Sequence, residues 1–299
     1  MVAKVDTIAP GRLHAGKQWR DVPLDARFGQ RAGTQRRNGG LDAFGGADGR
    51  VHAIILAPDC GYTAQVQTFA AFSLLHAVVL AAIAVITFTA IVIRRRRSPS
   101  PLPAGPVERT LGVAYLALWI GAFVWLRIGP LHDPATTYPL QLCHWCGAAA
   151  ALVLITGHPL LRAFVYFCGL GLCTQALITP SLVEGPAQFP FWFFWSTHAM
   201  IVGVAIYDIA ARGFRPTWRD FGFACMAAAF YVLLVLPIDL VTGWNYGFLG
   251  PSRPDVPSIV DLLGPWPQRL LAIAAISAGI MFALLVPWLL VRRAVTASR

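Results

Sequence analysis

Two side chains that together can transfer an acyl group occur in apolar parts of this sequence, the thiol of Cys143 and the imidazole of His198. A cysteine becomes a nucleophile when a nearby base takes its proton, and histidine is the usual base. The pair predicts acyl transfer through a thioester if the fold brings the two groups within hydrogen-bond reach. The competing interpretation of Cys143 is a small hydrophobic residue in a packed core.

Further polar residues occur near the ends of the same apolar segments and are predicted to bind substrate. They are Gln141, Gln175, Thr179, Asn245, Tyr246 and His76. The amides among them are suited to holding a substrate or the oxyanion of a tetrahedral intermediate. For His76 and Gln175 the alternative is a simple hydrogen bond to a neighbouring helix, which is common for polar groups in membrane spans.

Cys143 and Cys146 also form a CxxC motif, a spacing shared by thiol oxidoreductases and metal sites. On a helix the two sulfurs would lie one turn apart, where they could exchange with a partner dithiol or a quinone. The sequence has no second CxxC to complete a zinc site and no histidine directly after Cys146 to indicate haem attachment. We predict no metal and no cofactor, and thiol redox chemistry is a third hypothesis.

The segments that carry these residues are too apolar for a soluble protein. Hydrophobic residues make up 57% of the 299 residues and charged residues only 13%, and the mean hydropathy is +0.60. This composition predicts an all-α, polytopic membrane bundle of about seven transmembrane helices. The predicted spans are Phe69–Ile93, Leu111–Ile128, Tyr138–Thr156, Leu160–Thr179, Phe189–Ala211, Phe221–Thr242 and Leu270–Val291.

Arginine is concentrated in alternate loops, which predicts the orientation of the bundle. One set of loops holds Arg94 to Arg97, Arg162, Arg212, Arg215 and Arg219, whereas the other set holds few basic residues. By the positive-inside rule the N-terminus lies outside and the C-terminus in the cytoplasm. The polar residues then share the outer halves of the spans, which predicts a cleft open to the outer leaflet of a cell membrane, the inner membrane of a bacterium.

The net charge of +10 does not indicate nucleic-acid binding, because the basic residues lie in short loops between spans. Membrane lipids are the predicted partners, and the sequence does not determine the oligomeric state. Residues 1–67 are predicted to be a disordered extension, which a start codon assigned too far upstream would also explain. The membrane domain covers 68–293, and 294–299 form a short cytoplasmic tail.

The loop over residues 243–268 is unusually rich in tryptophan, tyrosine and proline. Aromatic residues of this kind suit the interfacial belt of a membrane protein. The alternative is a lid over the polar cleft, with Asn245 and Tyr246 pointing inward.

Five ordered stretches carry a resemblance to a known family. They are Tyr-Pro-Leu-Gln-Leu-Cys (138–143), Tyr-Phe-Cys-Gly-Leu (166–170) running to Gln-Ala-Leu-Ile-Thr-Pro (175–180), Phe-Trp-Phe-Phe-Trp-Ser-Thr-His (191–198), Thr-Gly-Trp-Asn-Tyr (242–246) and Asp-Leu-Leu-Gly-Pro-Trp-Pro (261–267). The chain resembles the YwaF-like bacterial integral membrane proteins, which are similar in turn to the eukaryotic transmembrane protein 164 family.

The resemblance implies a phospholipid acyltransferase, because the eukaryotic relatives are described as such and use a cysteine and a histidine. These two residues correspond to Cys143 and His198. The chain departs from the bacterial pattern at Gln141, where histidine is usual, and at Ser181, where aspartate is usual. If the chemistry needs that histidine, the activity of this chain is altered or lost.

Three functional hypotheses follow from the sequence. The first is a phospholipid acyltransferase or acyl hydrolase with Cys143 as nucleophile and His198 as base. The second is a noncatalytic binder or transporter of lipids or small solutes that uses the same polar cleft. The third is CxxC redox chemistry, which requires Cys146 as much as Cys143.

Overall fold

In a computed structural model the chain forms a bundle of helices, and the structure describes residues 68–97, 104–130, 132–251 and 259–297. Seven main helices follow one another along these residues. They are α1 (Leu74–Arg97), α2 (Pro106–Ile128), α3 (Leu142–Thr156), α4 (Pro159–Ile178), α5 (Phe189–Arg212), α6 (Trp218–Thr242) and α7 (Arg269–Ala297). The predicted all-α membrane bundle is confirmed.

Helix α4 is not uniform, since it joins an α-helix, Pro159–Phe164, to a π-helical segment, Val165–Cys173, and a last α-helical turn, Gln175–Ile178. Short 3-10 helices, Tyr246–Phe248 and Ile259–Leu263, lie in the connection between α6 and α7. In the described part of the chain the β-structure consists of an isolated bridge between Thr68 and Glu184.

Six of the seven helices are long and apolar enough to cross a membrane, and α3 is a shorter apolar helix of 15 residues. At 1.5 Å per residue α3 measures about 22 Å, whereas the hydrocarbon core of a bilayer is about 30 Å thick. The N-terminus of α3 therefore lies within the bundle, and the turns at 133–140 occupy the space above it. Cys143, its second residue, is thereby placed below the end of the bundle.

Most predicted helix boundaries lie within a few residues of the observed ones, and the larger differences have local causes. The third span was predicted from Tyr138, but α3 begins at Leu142. Pro139 disfavours helical backbone at Tyr138, and the extended backbone of Gln141, with ψ at 143°, sets the helix start at Leu142. The first span was predicted from Phe69, yet the Phe69 amide donates to Val183 O at 2.9 Å and α1 begins only at Leu74. The predicted extension over 1–67 lies outside the described residues.

Sequence signals at the helix ends account for much of this pattern. Thr217 caps α6 by accepting from the Asp220 amide at 3.3 Å, while Asp220 accepts from the Thr217 amide at 2.8 Å. Helices α3, α5 and α6 each end at a glycine in the left-handed region, namely Gly157, Gly213 and Gly243.

Consecutive helices run in opposite directions, which gives the bundle two distinct ends. We call the end where α1, α3, α5 and α7 begin the site end, and the opposite end the arginine end. In α4 and α5, half of the residues in the most apolar stretch of the helix are buried, compared with 6% in α1 and 11% in α7. The core therefore lies around α3, α4 and α5. Gly169 allows close packing there, because a Cβ at this position would lie 2.7 Å from Ile201 Cγ2.

Buried ion pairs join the helices at the arginine end. Arg94 of α1 lies 3.2 Å from Glu108 of α2, which also accepts a 2.7 Å hydrogen bond from the Tyr207 hydroxyl of α5. Asp208 of α5 accepts from Arg162 Nε of α4 at 2.6 Å. These contacts link four helices through two carboxylates.

Arg212 extends this network to α3. Its Nη1 lies 3.5 Å from Asp208 Oδ1 and donates to Val153 O at 3.0 Å, near the end of α3. Gly157 lies against the same side chain, since a Cβ there would be 2.6 Å from Arg212 Nη2. Its φ of +65° also favours glycine. The C-terminus of α3 is thus held directly against α5.

Candidate functional site

A cavity of about 1010 Å³ opens among helices α2 to α7 toward the site end. Most of its lining is apolar, with a small set of polar side chains that includes both members of the predicted catalytic pair. The polar lining comprises Thr136, Thr137, Gln141, Cys143, His144, Cys173, Gln175, Ser181, Glu184, Thr197, His198, Cys225, Tyr231 and Ser277. Large, mostly apolar cavities with a few convergent polar groups are typical binding sites.

Gln141 occupies the N-cap position of α3, Leu142 is the first residue of the helix and Cys143 is the second. A helix N-terminus carries partial positive charge, which favours an anion placed against it. The Cys143 sulfur belongs to the first turn of α3, where this charge favours a developing thiolate.

His198 is in the third turn of α5 and is 3% exposed. Its Nδ1 lies 2.8 Å from Phe194 O, and because a carbonyl can only accept, Nδ1 carries the proton of the neutral ring. Nε2 is then unprotonated, and it makes no hydrogen bond to any described residue. The backbone of α5 thus holds His198 in the tautomer that can act as a base.

His144, to which the sequence analysis assigned no role, lines the same cavity. Its Nδ1 is buried without a hydrogen-bond partner among the described residues. Its ring packs edge-on against Phe123 at 4.8 Å between centroids and interacts electrostatically with His198. Its position next to Cys143 in the sequence is the one signal that pointed to it.

The second cysteine of the CxxC motif is placed differently from the first. Cys146 is completely buried and does not line the cavity. The thiols that line the cavity together with Cys143 are Cys173 of α4 and Cys225 of α6. Both come from other helices, and the spacing in the sequence did not indicate them.

Two of the predicted substrate-binding residues line the cavity. Gln141 Oε1 accepts from the Gly247 amide at 2.8 Å, which leaves the NH₂ of its side chain without a bond to described residues. Gln175 also lines the cavity, and its Nε2 donates to Thr179 Oγ1 at 3.0 Å. Thr179 itself does not line the cavity and serves as the partner of Gln175.

The other three predicted binding residues lie outside the cavity lining. His76 uses both ring nitrogens, since Nδ1 accepts from the Phe72 amide at 2.9 Å and Nε2 donates to Leu177 O at 2.8 Å. It joins the start of α1 to the end of α4. Asn245 does not line the cavity, and its Oδ1 is buried without a partner among the described residues.

Tyr246, in the connection between α6 and α7, has a structural role. Its hydroxyl donates to Pro134 O at 2.7 Å and accepts from the Tyr138 amide at 3.0 Å, and its own amide donates to Asp239 Oδ1 at 3.1 Å. Burial raises the pKa of Tyr246 to about 12, so the hydroxyl remains a donor. Tyr246 therefore fixes the turns that precede α3.

The connection between α6 and α7 covers the cavity, and we call its described residues, 243–251 and 259–268, the lid. Six of them line the cavity: Gly247, Phe248, Leu249, Ile259, Val260 and Leu263. Arg269, which is 1% exposed, is paired with Asp261 and donates to Gly250 O at 2.8 Å. The Trp266 indole donates to Leu249 O at 2.9 Å. These bonds hold both parts of the lid to the start of α7.

Gly247 is the point where the lid meets the start of α3. A Cβ at this position would lie 2.3 Å from the Tyr231 hydroxyl, and φ is +61°. Tyr231 in turn donates to Leu140 O at 2.8 Å, just before α3. Only glycine fits this conformation and this space.

The sequence of this chain matches the model of the TMEM164 family over residues 71–286. The chain belongs to the TMEM164 family. The matched range contains Cys143, His198 and the lid of this TMEM164-family chain. No curated protein matches the chain, and no solved structure does. In the described part of this family member, no group of three or more His, Cys, Asp or Glu side chains is arranged to hold a metal ion.

Proposed function

We propose that this multi-pass membrane protein is a phospholipid acyltransferase that uses Cys143 as nucleophile and His198 as base. One observation carries the proposal: a thiol at a helix N-terminus and an imidazole with unprotonated Nε2 line the same membrane cavity. Nucleophilic catalysis needs these two groups and an orienting partner for the base. The carbonyl of Phe194 is that partner for His198.

In the first half-reaction the Cys143 sulfur attacks the carbonyl carbon of a phospholipid ester, while His198 Nε2 takes the thiol proton. The C–O bond of the ester breaks, and the proton passes from His198 to the departing alkoxide. The products are a lysolipid and an acyl-thioester on Cys143. The amide NH₂ of Gln141 then donates to the tetrahedral oxyanion, and its lack of another partner among the described residues supports this role.

In the second half-reaction a hydroxyl of an acceptor lipid attacks the thioester. His198 Nε2 takes the hydroxyl proton, the C–S bond breaks, and the proton returns to the Cys143 sulfur. Water in place of the acceptor makes the same site an acyl hydrolase. The largely apolar cavity wall limits the access of water and so favours transfer over hydrolysis.

The loop charges support an orientation in which the site end faces the outside of the cell. Arg94 to Arg97 and Arg292 lie at the arginine end, together with Arg162 and Arg212. On this orientation the cavity takes its lipids from the outer leaflet of a bacterial cell membrane.

A noncatalytic lipid binder is the second candidate, because a large apolar cavity suits lipid binding without any reaction. The two candidates differ at Cys143→Ser, which leaves binding unchanged but removes thioester chemistry. Thiol redox chemistry has less support, since Cys146 is completely buried and does not line the cavity. Exchange with an external dithiol needs an accessible pair.

The test measures acyl exchange between defined phospholipids in vesicles that contain the full-length protein. Cys143→Ala and His198→Ala are each expected to lower the rate by at least about 100-fold. Cys168→Ala is the matched control, because Cys168 is a buried thiol that does not line the cavity. Equal rates for Cys143→Ala and Cys168→Ala, with unchanged thermal stability, would show that Cys143 is not the nucleophile.

A further inference from the structure

An apolar part of the cavity lies between α4, α6 and α7. Small side chains contribute to both of its helical walls, Cys225, Ala228 and Ala229 on α6 and Ala274, Ser277 and Ala278 on α7, beside larger apolar ones such as Val232 and Ile273. Small residues on two facing helices leave a trough between the backbones, because no side chain fills the space. We call this part of the cavity the α6–α7 arm.

The arm is closed at its far end by contact between α4 and α7. A Cβ at Gly171 of α4 would lie 3.1 Å from Leu284 Cδ1 and 3.5 Å from Ile280 Cγ2. Met281 at the same level is 2% exposed. The two helices therefore meet at Gly171, and the cavity ends there.

The side of the arm is open to the surroundings of the bundle. Ala229, Ala274 and Ala278 are exposed although they line the cavity, and so are Ile276 at 46% and Ile280 at 39%. These residues lie in the interior of helices that are long and apolar enough to span a membrane. An opening at this place faces hydrocarbon rather than water.

The depth of the arm matches one leaflet of a bilayer. Along α7 the cavity is lined from Leu270 to Met281, and these eleven residue steps at 1.5 Å each give about 16 Å. The hydrocarbon core is about 30 Å thick, so that one leaflet contributes about 15 Å. An acyl chain of a lipid in that leaflet therefore fits between Gly171 and the mouth of the cavity, which Thr136, Thr137 and Gln141 line.

We infer that the α6–α7 arm holds one acyl chain of a membrane phospholipid, which enters sideways between α6 and α7. This inference rests on the proposed function in taking a phospholipid as the ligand. It adds the route by which the acyl chain enters and the residues that limit the length of that chain. With the tail against Met281, the polar part of the lipid lies at the mouth of the cavity, which Thr136, Thr137 and Gln141 line. Wall residues of the arm then determine which chains are accepted.

The inference is tested by narrowing the arm and measuring lipid occupancy. Ala278→Trp and Ala229→Trp place a large ring in the opening, and Ala275→Trp and Ala283→Trp are the matched controls. Ala275 and Ala283 are also exposed alanines of α7 but do not line the cavity. The probe is a phosphatidylethanolamine with a diazirine at the end of one acyl chain, in vesicles of phosphatidylethanolamine and phosphatidylglycerol.

Saturable labelling of peptides from 225–232 and 270–281 is expected in the wild type and in both controls. In Ala278→Trp and Ala229→Trp it is expected to fall at least about tenfold, because the ring excludes the chain. Ala274→Leu, a smaller change, is expected to favour shorter chains among the competing unlabelled lipids. Labelling of Ala278→Trp that equals labelling of Ala275→Trp, with both proteins folded, overturns the inference.

The same labelling in the Cys143→Ala variant separates this inference from the proposed function. Normal labelling of an inactive Cys143→Ala protein supports the arm independently of the chemistry. If acyl exchange depends on Cys143 while the tryptophan variants label normally, the arm is wrong and the acyltransferase proposal stands. If acyl exchange does not depend on Cys143 but labelling falls in Ala278→Trp, the acyltransferase proposal is wrong and the arm stands.

Discussion

The two ends of this bundle differ in the type of polar group that they contain and in how those groups are paired. At the arginine end the buried carboxylates Glu108 and Asp208 are each paired with an arginine. At the site end, by contrast, His198 Nε2 and His144 Nδ1 have no hydrogen-bond partner among the described residues. Ion pairs therefore join the helices at the arginine end, whereas two imidazole nitrogens at the site end are available to a bound molecule.

The difference also extends to how the helices are joined. Arg212 and Asp208 tie α5 to α3 and α4 at the arginine end, while the site end is spread apart around a cavity of about 1010 Å³. The lid closes that end through contacts such as the hydrogen bond from the Gly247 amide to Gln141 Oε1. We therefore expect changes at the arginine end to affect stability, and changes at the site end to affect activity.

The largest effect is expected for Asp208→Asn at the arginine end. The change leaves Arg162 and Arg212 without their buried counter-charge, and removal of one partner from a buried ion pair typically costs about 3–5 kcal/mol. Thermal unfolding of the protein in detergent measures the loss. Asp133→Asn, at an exposed turn, is the control and should leave the unfolding temperature nearly unchanged. An Asp208→Asn protein as stable as the control would mean that the ion pairs do not hold the arginine end together.

A smaller effect is expected for Gly157→Ala, compared with Gly243→Ala. Both glycines end a helix at positive φ, which costs an alanine about 1–2 kcal/mol. A Cβ at Gly157 additionally lies 2.6 Å from Arg212 Nη2, whereas a Cβ at Gly243 has nothing within 4 Å. Denaturation curves should show Gly157→Ala to be the less stable variant. Equal stability of the two would indicate that Arg212 moves away without cost.

The smallest effect is expected for Gln141→His, which introduces the residue that the resemblance to bacterial proteins predicts at this position. An imidazole nitrogen can accept the Gly247 amide proton in place of Gln141 Oε1, so the lid stays attached. Gln141→Ala removes the acceptor and costs about 1 kcal/mol. The rate of acyl exchange should fall further in Gln141→Ala than in Gln141→His. The opposite order would show that the contact between residue 141 and the lid does not support the reaction.

Cys143 and His198 were selected for their chemistry. Both line one cavity, and their catalytic roles stay a prediction. His76, Asn245 and Tyr246 were selected for their depth in the bundle, but depth does not specify which way a side chain points. His76 instead joins α1 to α4, and Tyr246 holds the turns before α3.

The contacts that sequence reasoning missed come from different helices. Cys173 lines the same cavity as Cys143 although thirty residues separate them in the sequence. His144 is next to Cys143 in the sequence, but its proximity to His198 depends on the packing of α3 against α5. No local pattern reports such distances.

The sequence by itself determined that this chain is a membrane bundle, approximately where each helix lies, and which family it resembles. These features follow from hydropathy and local backbone preferences, which act over one turn or one span. Only the tertiary structure decided that α3 begins below the site end, that Cys143 and His198 share a cavity, and that an arm opens between α6 and α7. The reason is physical: these features depend on how side chains of separate helices pack, and small residues such as Ala278 and Gly171 leave space or allow contact according to what lies opposite.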